Sequence, residues 1–176
     1  GRPKSVGAKQ WVPIETPNGE GWVDRFYLTE QVDFEAFKED RRPAQQVKKL
    51  ADRLRSGADI TSAVSERGLA IGLTGSPTRI RPERLAELLD NKSWIGMGGL
   101  EAGEDFNVAV AIPFLEAMDA TEAISAATPH SGTALIPNEF LNLPYLALGA
   151  PGVQPWLVFF EYSSGKPRIA ALGIDE

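Results

Sequence analysis

The single histidine of the chain, His130, lies beside a serine in "ATPHSGT", a pair of residue types that could serve nucleophilic catalysis. A Ser–His–acid triad using Ser131 would need a geometry that adjacent residues seldom reach, and no G-x-S-x-G turn presents that serine. A metal site at His130 would need several converging carboxylates, because the chain has no second histidine and no cysteine. We therefore interpret His130 as a surface loop residue, and we predict no catalytic residue and no metal site.

Acidic residues and glycines form two further candidate sites in the middle of the chain. Glu101, Glu104 and Asp105 cluster in "GGLEAGEDF", but the D-x-[DN]-x-[DN]-G calcium loop is absent. The glycines of "GMGG" at 96–99 do not have the G-x-G-x-x-G spacing of a phosphate-binding turn. We interpret both segments as solvated loops and predict no cofactor.

Arg67 follows an apolar helical pattern and precedes a strand pattern, so its guanidinium could anchor a carboxylate ligand. The alternative is a structural arginine that bridges loop carbonyls or an acidic neighbour. Glu161 and Asp175, in the C-terminal strand region, could act as an acid–base pair, although two carboxylates alone are a weak indication.

Aromatic side chains are concentrated near the N-terminus, in "KQWVPIETPNGEGWVDRFYLTE". Trp11, Trp22, Phe26 and Tyr27 could together form a surface for a peptide or a glycan. We predict Trp11 and Tyr27 as ligand-binding residues, together with Arg67, and we assign Trp22 to a hydrophobic core.

Composition limits the possible partners. The 24 acidic and 18 basic residues give a net charge of −6, which argues against nucleic acid. No apolar run approaches the roughly 18 residues of a membrane span, so none is predicted in this chain.

The first thirty residues have the pattern of a β-hairpin, with a Pro-Asn-Gly turn at 17–19, and "VDFEAFKEDRR" suits a short helix or an ordered linker. From Pro43, the spacing of Val47, Leu50, Ala51 and Leu54 predicts a helix that ends at Gly57.

The rest of the chain has weaker patterns, apart from its end. Asp59 predicts a second, shorter helix through about residue 65, "GLAIGL" at 68–73 a strand, and "RPERLAELLD" a helix. We expect "KSWIGMGG" to form a strand, "NVAVAIPFLEAMDAT" a strand running into a helix, and "ATEAISAAT" a weak strand. The C-terminal runs "PWLVFFEY" and "PRIAALGIDE" around "SSGK" predict a long antiparallel hairpin that is covered on both faces. The predicted class is α+β.

The N-terminal segment resembles the C-terminal half of a bacterial Src-homology-3-like domain, in which a Trp-containing strand, a turn, a Gly-Trp-Val strand and a Tyr-Leu step follow one another. The matching residues are Trp11, Gly19, Gly21, Trp22, Val23, Tyr27 and Leu28. The resemblance covers about 25 residues and implies that the chain is a fragment lacking the upstream part of a small barrel. Residues 1–31 should then need the missing strands or the second domain as cover.

The segments "VSERGLAI", "IRPERLAELL", "IPNEFLNLP" and "WLVFFEYSSGKPRIAALGIDE" resemble an uncharacterised domain that follows such modules in bacterial envelope proteins and lipoproteins. The shape implied is cystatin-like, a helix packed across a curved antiparallel sheet. We expect three parts: the barrel part at 1–31, a linker or short helix at 32–42, and the α+β domain at 43–176.

These resemblances imply a non-enzymatic binding or scaffolding protein of the cell envelope, periplasmic or extracellular, with a lipid anchor in a preceding segment. Its barrel part would contact peptidoglycan, a peptide or an envelope protein. The alternative is a small-molecule-binding or hydrolytic domain whose cone-shaped cavity brings together Arg67, Glu161, Asp175 or His130. A third interpretation is intramolecular, with the barrel part fixed on the second domain as a scaffold.

Overall fold

The computed structural model describes residues 2–7, 9–72, 78–89, 108–117, 120–125, 140, 142–148 and 156–174. Within them the chain is α+β, with two sheets and few helices. The strands are β1 (Lys4–Val6), β2 (Lys9–Thr16), β3 (Gly19–Asp24), β4 (Leu69–Ile71), β5 (Thr78–Ile80), β6 (Ala120–Ser125), β7 (Pro144–Leu148), β8 (Trp156–Ser163) and β9 (Lys166–Ile174). The α-helices are α1 (Phe34–Glu39), α2 (Arg42–Ser56) and α3 (Val108–Ala117), and 3-10 helices span Arg25–Tyr27 and Pro82–Leu89.

The strands β1, β2 and β3 form a three-stranded antiparallel sheet, here called the N-terminal sheet. The hairpin of β2 and β3 turns at Pro17 and Asn18, so that Thr16 pairs with Gly19. This confirms the hairpin predicted from the Pro-Asn-Gly signal.

Two helices follow the N-terminal sheet. Asp33 caps α1, since its carboxylate accepts hydrogen bonds from the backbone N–H groups of Glu35 and Ala36. Helix α2 has Pro43 in its first turn and ends at Gly57, whose φ of 63° is the left-handed conformation that closes many helices. The predicted stripe of α2, from Val47 to Leu54, is buried in the core.

The second sheet, here called the large sheet, has the order β5-β4-β9-β8-β7-β6. Its described pairs are antiparallel except β4 with β9, which is parallel. The predicted C-terminal hairpin is confirmed as β8 and β9, joined by a two-residue turn at Ser164 and Gly165, both with positive φ. Separate clusters of buried side chains cover its two faces, one of them including the α2 stripe, as the apolar pattern of the hairpin predicted.

Three expectations about local structure are wrong or only partly right. Asp59 does not begin a helix: its carboxylate accepts hydrogen bonds from the Thr61 N–H and hydroxyl, which closes a turn, and Val64 then pairs with Ile169. Residues 82–89 form a 3-10 helix, in which Leu85 and Leu88 are buried because three residues complete a turn.

Helix α3 is the third case, since it is helical throughout Val108–Ala117 instead of starting as a strand. The run is apolar at nearly every position, so it has no period that separates a strand from a buried helix. Ala111 and Leu115, four residues apart, are both buried in the core that includes α2. The predicted strand "KSWIGMGG" lies outside the described residues.

Among the described residues, no helix combines the length and the hydropathy that crossing a membrane requires.

Candidate functional site

The strand register places two tryptophans on one face of the N-terminal sheet. Trp11 pairs with Lys4 on β1 and with Asp24 on β3, and Trp22, two residues before Asp24, is its diagonal neighbour. The Lys4 ammonium lies 4.2 Å from the centre of the Trp22 ring, a distance that permits a cation–π interaction. With Val6 these side chains line a hollow of about 400 Å³, and we call this surface the indole face.

The indole face is open. Trp22 has 42% of its surface exposed and Val6 has 65%. The assignment of Trp22 to a core is therefore wrong, because its position in the pleat directs it to the same face as Trp11, where its ring stays largely open to solvent. Among the strand residues of the N-terminal sheet, only Asp24 is buried. The expected cover for residues 1–31 is thus not supplied by the part of the chain that the structure describes.

Tyr27 belongs to the 3-10 helix that follows β3 and is 64% exposed. Asp24 positions this helix, since its carboxylate accepts a hydrogen bond from the Phe26 N–H at 3.1 Å. The rings of Phe26 and Tyr27 meet edge to face, with centroids 5.3 Å apart. Tyr27 does not line the hollow of the indole face, so the structure brings Trp11 together with Trp22 rather than with Tyr27.

Arg67 lies in a cleft of about 380 Å³ between the N-terminal sheet and the hairpin of β8 and β9. Its guanidinium forms a two-pronged ion pair with Glu161, through Nε at 3.1 Å and through Nη2. The Ser65 hydroxyl donates a further hydrogen bond to Glu161 at 2.6 Å. The alternative in which Arg67 serves an acidic neighbour is therefore what the geometry shows, and its role as a ligand residue stays a prediction.

Glu161 is the one acidic residue in the buried stretch of β8, where the other residues from Trp156 to Tyr162 are apolar or aromatic. Its side chain is 9% exposed, and that of Arg67 is 20% exposed. A carboxylate at such a position is tolerated only when it is paired and hydrogen-bonded. Arg67 and Ser65 supply those partners from the turn before β4.

The segment at 28–42, here called the connecting segment, is bonded to the same hairpin. The Glu30 N–H donates to the carbonyl of Tyr162, and the Glu30 carboxylate accepts from the N–H groups of Ser164 and Gly165 at 2.6 and 2.7 Å. Thr29 exchanges hydrogen bonds with the backbone of Tyr162. These contacts attach the N-terminal sheet to the larger unit at its base.

A second set of contacts fixes the far end of the connecting segment. The Tyr162 hydroxyl donates to Asp40 at 3.1 Å, and Arg42 pairs with Asp40 at 2.8 Å. Partial burial raises the pKa of the Asp40 carboxyl, but the hydrogen bonds from Arg42 and Tyr162 outweigh it and hold that pKa below its ordinary value. Burial, with the charge of Asp40 and the hydrogen bond to it, raises the pKa of the Tyr162 phenol well above the usual range.

Several residues that were weighed from the sequence lie outside the described residues. They are Glu101, Glu104, Asp105, His130, Ser131 and Asp175. Of the four side chains expected in a cone-shaped cavity, Arg67 and Glu161 do meet. Within the described ranges no three His, Cys, Asp or Glu side chains converge as a metal site would require.

The sequence interpretation missed the contribution of Trp22 and Lys4 to the indole face. A signal for Trp22 was present, because a two-residue turn at Pro17 and Asn18 sets Pro13 opposite Trp22 and so places both tryptophans on one face. The position of Lys4 has no comparable signal, since it depends on where β1 pairs.

Comparison with protein-family models, with curated proteins and with solved structures finds no match to this chain.

Proposed function

We propose that the chain is a non-enzymatic binding and scaffolding protein of the bacterial cell envelope, and that the indole face contacts the glycan strands of peptidoglycan. The observation that carries this proposal is that Trp11, partly exposed, and Trp22, exposed, lie together on one open sheet face beside the ammonium of Lys4.

The chemistry of the indole face suits a sugar chain. Indole rings are large, rigid and amphipathic, so they offer contact area at a low cost in conformational entropy. Their flat faces can stack on the C–H faces of pyranose rings, while Lys4 offers a cation to carboxylates carried by the wall polymer. Exposed large apolar side chains are concentrated in this part of the chain: of the six among the described residues, five belong to residues 6–28.

The resemblance to known modules belongs to the same proposal. In it, residues 1–31 form the C-terminal part of a Src-homology-3-like barrel, which the β2–β3 hairpin and the Trp11 and Trp22 positions support. The larger unit would be cystatin-like, which the packing of the α2 stripe in one core with the β8 and β9 side chains supports. Its role would be to hold the binding sheet, through the connecting segment, in a fixed orientation.

The test is retention of the full-length protein on purified cell-wall sacculi, with cell fractionation to locate it. A double Trp11→Ala, Trp22→Ala variant removes both rings, and Leu89→Ala removes an exposed apolar side chain of the larger unit as the matched control. If each indole anchors the ligand, its removal costs about 2 kcal/mol, or roughly thirtyfold in affinity. The double variant should then lose retention, and the control should keep it.

The outcomes separate the possible partners. Release of the bound protein by a muramidase, which cuts the glycan, supports the sugar chain as ligand. Release only by an amidase, which removes the stem peptides, would replace the glycan with a peptide. Equal retention of the double variant and the wild type contradicts the indole face, and a cytosolic protein that does not bind sacculi contradicts the proposal as a whole.

A further inference from the structure

The cleft that contains Arg67 has charged groups beyond the Arg67–Glu161 pair. The N-terminal sheet and its 3-10 helix contribute Arg25 and Phe26 to its wall, the turn before β4 contributes Glu66, and β9 contributes Arg168. The cleft therefore lies between two units of the chain, a common location for small-molecule sites. Its volume of about 380 Å³ is at the lower end of the range of about 300–1,000 Å³ that such sites occupy.

Some of the charges in the cleft already have partners. Arg67 and Glu161 neutralise each other, and Asp24 lies 3.5 Å from the Lys9 ammonium while it also caps the 3-10 helix. The charges of these groups are therefore already paired. A ligand is not expected to displace them, because breaking a buried pair leaves an uncompensated charge.

The remaining charges have weaker partners or none. The guanidinium of Arg25 donates at 3.2 Å to Gln10, a neutral amide. Among the described residues, neither Arg168 nor Glu66 has an ion pair or a hydrogen bond from its side chain. Arg168, on β9, is only partly exposed. Arg25 belongs to the 3-10 helix and Glu66 to the turn before β4, so the three charged groups come from three different elements. The cleft thus offers two guanidinium groups and one carboxylate to whatever enters it.

We propose that this cleft binds a small zwitterionic ligand, namely a short peptide with free termini. Arg25 and Arg168 hold the ligand's carboxylate, and Glu66 accepts hydrogen bonds from its ammonium group. Guanidinium forks match the geometry of a carboxylate, which makes such hydrogen bonds short and strong. Phe26 gives the apolar contact for a side chain of the ligand. This site goes beyond the envelope-binding proposal and does not depend on it, since Trp11 and Trp22 lie outside the cleft.

The experiment is an NMR titration of the full chain, labelled with ¹⁵N, with trialanine as the probe. Three forms of the peptide are compared: free at both ends, acetylated at the N-terminus, and amidated at the C-terminus. The variants are Arg25→Gln and Arg168→Gln, with Arg84→Gln as the control because Arg84 pairs with Glu87 away from the cleft. Urea unfolding of each variant confirms that it has kept its fold.

The free peptide should bind with shifts confined to the cleft. Removing one guanidinium should weaken binding about tenfold or more, as expected for the loss of a hydrogen bond to a charged group. Amidation should weaken binding by a similar factor, acetylation should weaken it through Glu66, and Arg84→Gln should change nothing. Equal binding of the three peptides overturns the proposal. So does an unchanged affinity in folded Arg25→Gln and Arg168→Gln, or no shift with the free peptide at 20-fold excess over millimolar protein.

Discussion

Replacing Arg67 with methionine should be among the most destabilising changes that the described surface of this chain allows. Methionine keeps most of the aliphatic stem of Arg67 but removes both hydrogen bonds to Glu161. The Glu161 side chain is 9% exposed, so its carboxylate would be left inside the protein with Ser65 as its only described donor. Breaking a buried pair in this way typically costs about 3–5 kcal/mol.

The lower part of that range applies here, because Arg67 retains 20% exposure and water can reach the vacated position. We expect a loss of about 3 kcal/mol in the free energy of unfolding. With a urea dependence of about 2 kcal/mol per molar, this moves the unfolding midpoint down by about 1.5 M. The double variant Arg67→Met, Glu161→Leu removes both charges, so it should recover to within about 1 kcal/mol of the wild type.

The assay is equilibrium urea unfolding followed by tryptophan fluorescence and by circular dichroism, with Lys38→Met as the control. Lys38 pairs with Glu35 on the surface at 3.7 Å, and losing that exposed pair should leave the midpoint nearly unchanged. The reasoning is refuted if Arg67→Met shifts the midpoint no more than the control does. It is also refuted if the double variant is as unstable as Arg67→Met, because the cost would then not come from an unpaired carboxylate.

Three further predictions concern the connecting segment and the turn before β4. Because its pKa is lowered on folding, Asp40 contributes stability that is complete above about pH 4 and disappears as the pH falls through its folded pKa. Asp40→Asn should therefore lose less stability than the wild type between about pH 5 and pH 2, and equal acid losses would contradict this. Glu30→Ala should cost about 1 kcal/mol and speed hydrogen exchange at the N–H groups of the β8–β9 turn; unchanged exchange would show that the contact is not formed. Gly68→Ala should cost at least about 3 kcal/mol in urea unfolding, since φ is +94° and a Cβ would collide with a backbone carbonyl. The control Gly57→Ala, where a Cβ meets open space, should cost about 1 kcal/mol. Similar costs for the two substitutions would contradict the collision.

Local signals in the sequence predicted much of the described fold. The β2–β3 hairpin follows from its turn residues, and α2 follows from a stripe with helical spacing between a proline and a glycine. The C-terminal hairpin follows from two apolar runs around Ser164 and Gly165. In each case residues close in sequence determine the structure, so no knowledge of distant contacts was needed.

The wrong predictions fall where distant contacts decide. The apolar run of α3 fits a strand or a buried helix equally well, and its shared core with α2 selects the helix. Asp59 is a good helix cap by residue type, but Val64 is drawn into a bridge with Ile169, more than a hundred residues away. The sequence also names Arg67 and Glu161 as candidates without saying that they bind each other, because 94 residues separate them.

The exposure of Trp22 reflects how few residues of the N-terminal sheet are buried. A three-stranded sheet with one buried strand residue has too little core to be stable by itself, so its order depends on what it is attached to. In the described structure that attachment is the connecting segment, through Glu30 at the β8–β9 turn and through Asp40 at Tyr162. A ligand that covers the indole face would supply the missing apolar burial and so stabilise the sheet. Binding at the indole face and attachment at the hairpin should therefore strengthen each other. Glu30→Ala should weaken ligand binding although Glu30 does not line the indole face. Trp11→Ala leaves the attachment intact, so it should not speed hydrogen exchange at the N–H groups of the β8–β9 turn in the unliganded protein.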